Sequence, residues 1–114
     1  MSDKTLFERI IAREIPADIV YEDDVAIAFR DINPQAPMHV LVCPKKPIVM
    51  ISTATAEDQS TLGHLMLVAA KVAAAEGHGD AFRVAVNNGA AVGQSVFHLH
   101  LHVLGGRRFA WPPG

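Results

Sequence analysis

The feature that most constrains this chain is a run near its end in which histidine alternates with apolar residues, HLHLHV at positions 98–103. Successive side chains of a β-strand point to opposite faces, so this alternation predicts a strand over residues 96–104. We expect the leucines and the valine to pack on the core and His98, His100 and His102 to face a cleft or solvent together. Three imidazoles on one face indicate a functional site, whereas the isolated His64 and His78 are more typical of surface or core positions.

One use of such a strand is metal binding. Cα atoms four residues apart along a strand are separated by about 13 Å, at roughly 3.3 Å per residue. Zinc needs its nitrogen ligands at about 2.0–2.1 Å, so the three histidines fit poorly around one ion. Two of them with a remote ligand such as His39 are still a possible zinc site. We expect no metal and no other cofactor.

The other use is nucleophilic catalysis at phosphorus. A neutral imidazole attacks phosphorus readily, and the adduct is labile to water. The reference pKa of histidine is about 6.5, which leaves much of it neutral at pH 7. One histidine can attack while another donates a proton to the leaving group. The central position of His100, with a histidine on either side, makes it the expected nucleophile.

The segment before this strand is suited to phosphate. Residues 88–95, NGAAVGQS, form a predicted loop in which Gly93 allows the backbone to approach a ligand closely. Backbone N–H groups and the Ser95 hydroxyl are donors for phosphate oxygens. Asn87, at the end of the preceding strand, could donate to the same phosphate.

Apolar periodicity and Pro, Gly and Asp breaks divide the chain into two helices and five strands. Their order, one helix, three strands, one helix and two strands, predicts an α+β domain on an antiparallel sheet. The predicted helices span 5–14 and 55–76, and the predicted strands span 18–22, 25–31, 38–43, 82–86 and 96–104.

Composition excludes several classes of protein. The 114 residues suit one domain, 1–114, and the net charge of −2 argues against non-specific nucleic-acid binding. The single cysteine, Cys43, suits a reducing compartment. Because neither a signal peptide nor a membrane-spanning run is visible, we expect a cytoplasmic protein without membrane contacts.

The second predicted helix suggests self-association. Its middle, Leu65–Ala70, is apolar without a break, which predicts burial on more than one side. One side would cover the sheet, and the other would meet a second subunit together with the strand at 82–86. The small residues that would allow close approach are Ala69, Ala70, Ala73 and Ala74.

The chain resembles a known family over nearly its whole length. DINPQAPMHVLVCPKK (31–46), LGHLM (62–66), GQSVFHLHLHVLGGR (93–107) and the closing WPPG (111–114) resemble the Hint branch of the histidine triad (HIT) family. The resemblance implies a HIT-like fold with a five-stranded antiparallel sheet and two helices, arranged as a homodimer. It also implies hydrolysis of purine nucleoside 5′-phosphoramidates, of the adenosine 5′-monophosphoramidase type, through a covalent nucleotidyl-histidine that releases a nucleoside monophosphate.

The resemblance also implies roles for individual residues. His100 matches the nucleophile, His102 the phosphate-contacting histidine near the leaving group, and Asp31 the carboxylate that accepts the ribose hydroxyls. Supporting histidines are matched by His98 and His39, and phosphate-site residues by Asn87, Gly93 and Ser95. The apolar base and ribose pocket is matched by Phe7, Ile10, Phe29, Ile32 and Leu41.

Two residues outside the histidine strand, Pro47 and Trp111, also affect the expected mechanism. Pro47 stands where relatives commonly have a histidine, so a relay through that side chain is absent. The resemblance implies that Trp111, in the terminal WPPG, lies near a neighbouring subunit's site, where it would select among leaving amines. The alternative is that the tail packs Trp111 on its own domain. The alternatives to an enzyme are a nucleotide-binding scaffold with incidental catalysis and a zinc-binding regulatory module.

Overall fold

A computed structural model describes residues 4–114, so only the first three positions of the predicted 1–114 domain lie outside the described residues. The elements follow the predicted order. The two helices are α1 (Leu6–Ile11) and α2 (Gln59–Ala75), and the strands are β1 (Ile19–Glu22), β2 (Ala26–Arg30), β3 (Met38–Pro44), β4 (Phe82–Ala85) and β5 (Leu101–Gly105). The strands form one antiparallel sheet in the order β1-β2-β3-β5-β4. The α+β prediction is confirmed.

Strand β3 lies at the centre of the sheet and is buried along its whole length. Its alternate residues belong to two different apolar clusters, because neighbouring side chains leave opposite faces of the sheet. Val40 and Val42 pack in the cluster under α2, whereas Leu41 and Cys43 pack in the cluster beside α1. The sheet is therefore covered by α2 on one face and by the short α1 on the other.

Helix α1 begins where the sequence predicts and ends earlier. The Thr5 hydroxyl accepts from the backbone N–H of Glu8, and the Glu8 carboxylate accepts from that of Thr5, which is a capping box. Arg13 then adopts the left-handed region, with φ of 63°. The N–H groups of Arg13 and Glu14 donate back to Ile10 and Arg9 in the Schellman pattern. This turn ends the helix, and the predicted stop at Pro16 was wrong.

Helix α2 follows a short 3₁₀ turn, Ala56–Asp58, in which the Asp58 carboxylate accepts the backbone N–H of Thr55. Leu65, Val68 and Ala69 are buried against the sheet, while Met66 and Leu67 are exposed. In the single chain the helix is thus buried on one side only. The prediction that Ala69 and Ala73 lie ready for a partner was wrong, since both pack in the chain's own core.

Strand β5 is shorter than the predicted strand at 96–104, because its ladder with β3 begins only at the pair Val42–Leu101. Two residues further along that register Leu99 would oppose Pro44, which has no N–H to donate. Leu99 instead donates its N–H to Ile48. The alternation nevertheless persists, because Leu99, Leu101 and Val103 all pack in the cluster under α2.

Among the described residues, no helix has both the length and the apolar character that crossing a bilayer requires.

Candidate active site

The β3–β5 register brings two distant histidines together. Leu41 pairs with His102, and His39 lies two residues before Leu41 on the same face. The His39 Nε2 and His102 Nδ1 atoms are 2.9 Å apart, a hydrogen bond between residues 63 positions apart in the sequence. His39 therefore extends the histidine cluster beyond the terminal motif.

A backbone contact sets the proton positions in this pair. The N–H of Gln35 donates to His39 Nδ1 at 3.0 Å, so that nitrogen is an acceptor. A neutral imidazole carries one N–H, which in His39 must be at Nε2. His39 Nε2–H then donates to His102 Nδ1, and the proton of His102 is placed on its Nε2. His102 is thereby an N–H donor on the side away from His39.

His100 has the opposite tautomer. Its Nδ1 lies 2.7 Å from the carbonyl oxygen of His98, which can only accept, so Nδ1 carries the proton. The Nε2 of His100 is left with a free lone pair, as a nucleophile requires. His98 is held in turn by donating from Nε2 to the carbonyl of Pro44 at 2.7 Å. The edge-on ring of Phe7, centred 4.8 Å from the His100 ring, restricts its rotation.

Burial keeps these imidazoles neutral. Loss of hydration disfavours the charged form, and it lowers the pKa of His98 and of His100. Burial, followed by the neighbouring His100 and His39, lowers the pKa of His102 to about 4. Burial also lowers the pKa of His39. The expectation that all three motif histidines face a cleft or solvent was wrong for His98, which is fully buried, whereas His100 and His102 line a cavity.

A cavity of about 340 Å³ opens beside His100 and His102. Its wall combines apolar side chains with a carboxylate, a hydroxyl and two imidazoles. Residues from the N-terminal helix, the three central strands and the loop before β5 form its wall: Leu6, Phe7, Ile10, Ile15, Pro16, Ala17, Phe29, Arg30, Asp31, Ile32, Leu41, Ser95, Val96, His100 and His102. Ile32 is 97% exposed and therefore forms the rim.

The wall contains most of the residues singled out from the sequence, but not all. His98 and His39 lie behind it, where they hold His100 and His102. Asn87 and Gly93 are neighbours, since a Cβ on Gly93 would lie 3.7 Å from Asn87 Nδ2. Neither belongs to the cavity wall, so the loop reaches the cavity through Ser95.

Sequence reasoning missed Gln94, which holds the loop in place. Its side-chain oxygen accepts the N–H of Gly89 at 2.8 Å. Its amide nitrogen donates to the carbonyls of Val49 at 2.9 Å and Val96 at 3.1 Å. The side chain is buried, so these three bonds fix the loop from inside. A polar residue within an otherwise glycine- and alanine-rich loop was the signal available in the sequence.

Asp31 is part of the cavity wall and lies next to the histidine pair. Its Oδ1 accepts the N–H of Asn33 at 2.9 Å, and its Oδ2 lies 3.4 Å from His39 Nε2. Asp31, His39 and His102 place one donor atom each within 4.8 Å of one another, a spacing that one metal ion could bridge. Two of those atoms already share the His39–His102 hydrogen bond, and an ion would have to replace it.

The C-terminal tail folds back onto its own chain before its last residues project outward. The Phe109 ring lies under the guanidinium of Arg107 at 4.0 Å, and Arg83 donates to the carbonyl of Ala110 at 3.1 Å. Trp111 beyond this anchor is 81% exposed. It is not part of the cavity wall of its own chain.

Comparison with known proteins agrees with this arrangement. The family model of the HIT domain matches residues 12–109. An uncharacterized HIT-like protein of Synechocystis is 64% identical over the whole of both chains. A 14 kDa zinc-binding protein of Zea mays is 50% identical over 96% of this chain and 88% of its own. The crystal structure of a HIT family hydrolase from Legionella pneumophila superimposes with a TM-score of 0.94 at 46% identity, covering 97% of this chain and 100% of its own.

Proposed function

This chain belongs to the HIT domain family, and from that premise we propose that it hydrolyses purine nucleoside 5′-phosphoramidates through a covalent nucleotidyl-histidine on His100. The observation that carries the proposal is the tautomer of His100. Its Nδ1–H is committed to the His98 carbonyl, so a free Nε2 lone pair is available beside a nucleotide-sized cavity. That some solved relatives are described as HIT family hydrolases supports a hydrolytic reaction.

Each part of the substrate would meet side chains of matching chemistry. The apolar side chains of Phe7, Ile10 and Phe29 would take the flat base, and the Asp31 carboxylate would accept the ribose hydroxyls. The phosphate would then meet Ser95 and the histidines, with Asn87 and Gly93 completing its surroundings from the loop. This placement follows the order of base, ribose and phosphate in a nucleoside 5′-phosphate.

The reaction would have two displacements at phosphorus. In the first, His100 Nε2 bonds to phosphorus while the phosphorus–nitrogen bond breaks, and the amine departs with the electron pair and a proton from solvent. His102 Nε2–H donates a hydrogen bond beside the departing nitrogen and stabilises the developing charge. In the second, water attacks phosphorus, releases a proton to solvent, and returns the bonding pair to His100 Nε2. The products are the amine and the nucleoside monophosphate.

Turnover of adenosine 5′-phosphoramidate, measured with and without exhaustive chelation, tests this function. We expect release of adenosine monophosphate at equal rates in both conditions, because the chemistry uses imidazole and water alone. A nucleotide-binding scaffold would bind the monophosphate without turnover. Activity lost on chelation and restored by zinc would favour a zinc site, the function suggested by the maize relative's description and by the Asp31, His39 and His102 spacing.

The activity should persist into acid. The lone pair of His100 disappears on protonation, and burial lowers the pKa of this imidazole below its usual 6.5. The neutral, reactive form of His100 therefore dominates until the pH falls below this lowered pKa. We expect the acid limb of the kcat/KM profile to have its midpoint below pH 6.5. An acid limb with its midpoint at or above 6.5 in the pH–rate profile would contradict the assignment.

We also propose a homodimer that forms through surfaces exposed in the single chain. Met66 and Leu67 are exposed on α2, and β4 is an edge strand of the sheet. Pairing there would cover both, and the projecting Trp111 would be free to reach the leaving-group side of a neighbouring site. Light scattering at micromolar concentration should report twice the mass of the chain, and the mass of one chain would refute the dimer.

A further inference from the structure

Asp31 is the one carboxylate in the wall of the cavity, among the described residues, and it is the acceptor assigned above to the ribose. Its Oδ1 accepts the N–H of Asn33 at 2.9 Å. Its Oδ2 lies 3.4 Å from the same His39 Nε2 that contacts His102. The ribose site and the histidine pair are therefore joined through a single carboxylate.

The Nε2–H group of His39 donates to His102 Nδ1 at 2.9 Å. Asp31 Oδ2 lies 3.4 Å from the same nitrogen as a charged neighbour, without the geometry of a hydrogen bond. Hydrogen bonds to charged acceptors are stronger than those to neutral ones, so the carboxylate competes for this proton once the His39 ring rotates toward it. His39 has no alternative proton to offer, because Gln35 N–H occupies its Nδ1.

The choice between these acceptors determines the tautomer of His102. When His39 donates to His102 Nδ1, the single proton of His102 must be on Nε2, which faces the substrate. When the His39 ring rotates so that its Nε2–H points at Asp31, the contact with His102 opens, and His102 Nδ1 can carry the proton without facing a second N–H. His102 would then present a lone pair to the phosphate, and two electron-rich groups would repel.

We propose that Asp31 is a positioning residue for the reaction, and that ribose hydroxyls bound to its carboxylate keep the His39 proton donated to His102, which holds His102 as the N–H donor. A carboxylate that accepts two hydroxyl hydrogen bonds has less acceptor capacity left for His39. Recognition of the sugar thus prepares the group that meets the leaving amine. This inference rests on the proposed function.

The consequence is that the ribose hydroxyls contribute to kcat as well as to binding. A 2′,3′-dideoxy phosphoramidate should have a kcat about tenfold lower than its ribose counterpart, the worth of one hydrogen bond. In Asp31→Asn, which keeps the shape and loses the charge, the two substrates should share one kcat. A residue that only binds sugar would leave kcat equal in the parent and change KM alone.

The deciding measurement is ¹⁵N NMR of the histidine rings, with the His102 signals identified by their loss in His102→Ala. Adenosine 5′-monophosphate and its 2′,3′-dideoxy analogue, each at saturation, present the same phosphate, so any difference between them isolates the ribose. We expect a larger Nε2–H fraction at His102 with the ribonucleotide, and no difference in Asp31→Asn. Asp80→Asn, an exposed aspartate in the turn before β4, is the matched control and should behave as the parent.

Identical His102 ring signals with both ligands in the parent would overturn the inference, whatever happens in the variants. Because this comparison needs binding only, it separates the inference from the proposed function. A chain that binds both nucleotides and never hydrolyses a phosphoramidate would refute the proposed function and still give an answer on Asp31.

Discussion

Replacing His100 with alanine should lower kcat on adenosine 5′-phosphoramidate by a factor on the order of 10⁴ or more, as removal of a nucleophile does elsewhere. The Nε2 lone pair that forms the bond to phosphorus is lost, and His102, with its proton on Nε2, has no lone pair to replace it. The affinity for adenosine monophosphate should change little, because the apolar side chains of the cavity and Asp31 are left in place. Steady-state kinetics and calorimetric titration measure the two quantities separately.

His78→Asn is the matched control for this experiment. His78 lies in the turn that follows α2, away from the cavity wall, and its replacement removes an imidazole without touching the histidine cluster. Its kcat should equal that of the parent. Near-normal kcat in His100→Ala would show that another group attacks phosphorus.

The second large effect is expected at Gln94. Substitution by alanine removes one acceptor and two donors from a buried site and releases the loop between β4 and β5. Ser95 and Gly93 would then move relative to His100. Misplacement of a positioning group by about 1 Å can cost on the order of 100-fold in rate, and we expect a loss of kcat/KM of that size. Steady-state kinetics of the variant and the parent measure this loss, and circular dichroism verifies that the variant is folded.

Gln94→Glu sharpens the test because it keeps the volume of the side chain and the acceptor for Gly89 N–H. A carboxylate cannot donate to the carbonyls of Val49 and Val96, so this variant should lose activity as well. The exposed Gln59 at the start of α2 supplies the control, Gln59→Ala, which should match the parent. Parent-like rates in Gln94→Glu would mean that the loop does not depend on these bonds.

The sequence pattern was sufficient for the parts of the fold that repeat with a fixed period. Alternation assigned Leu99, Leu101 and Val103 to the core, where they lie, because inward and outward positions are set by the geometry of an extended chain. The element order and the antiparallel sheet followed from the same reasoning. These features depend on neighbours in the sequence, so local sequence patterns are enough to predict them.

Features that depend on distant partners could not be predicted in the same way. The start of β5 is determined by Pro44 on another strand, which lacks the N–H that would extend the ladder. The role of Gln94 rests on a bond to Val49, 45 positions away. The left-handed Arg13 that ends α1 belongs to a conformation usually taken by glycine, which a helix-stop rule does not anticipate.

The same distinction applies to the site. A strand of three histidines pointed to His100 by its central position, but the reason it can attack is the tautomer fixed by the His98 carbonyl. The partner of His102 is His39, and only the pairing of β3 with β5 brings these two together. Asp31 could be matched to a ribose site by resemblance. Its closeness to His39 depends on the pairing of β2 with β3, which the local sequence does not reveal.

The central claim, a covalent nucleotidyl-histidine, is tested most directly by the stereochemistry at phosphorus. A phosphoramidate made chiral by one sulfur substituent is hydrolysed in ¹⁸O-labelled water, and the configuration of the thiophosphate product is determined. Two successive in-line displacements, first by His100 and then by water, predict net retention of configuration. Inversion would mean that water attacks phosphorus directly, and it would contradict the role given to His100.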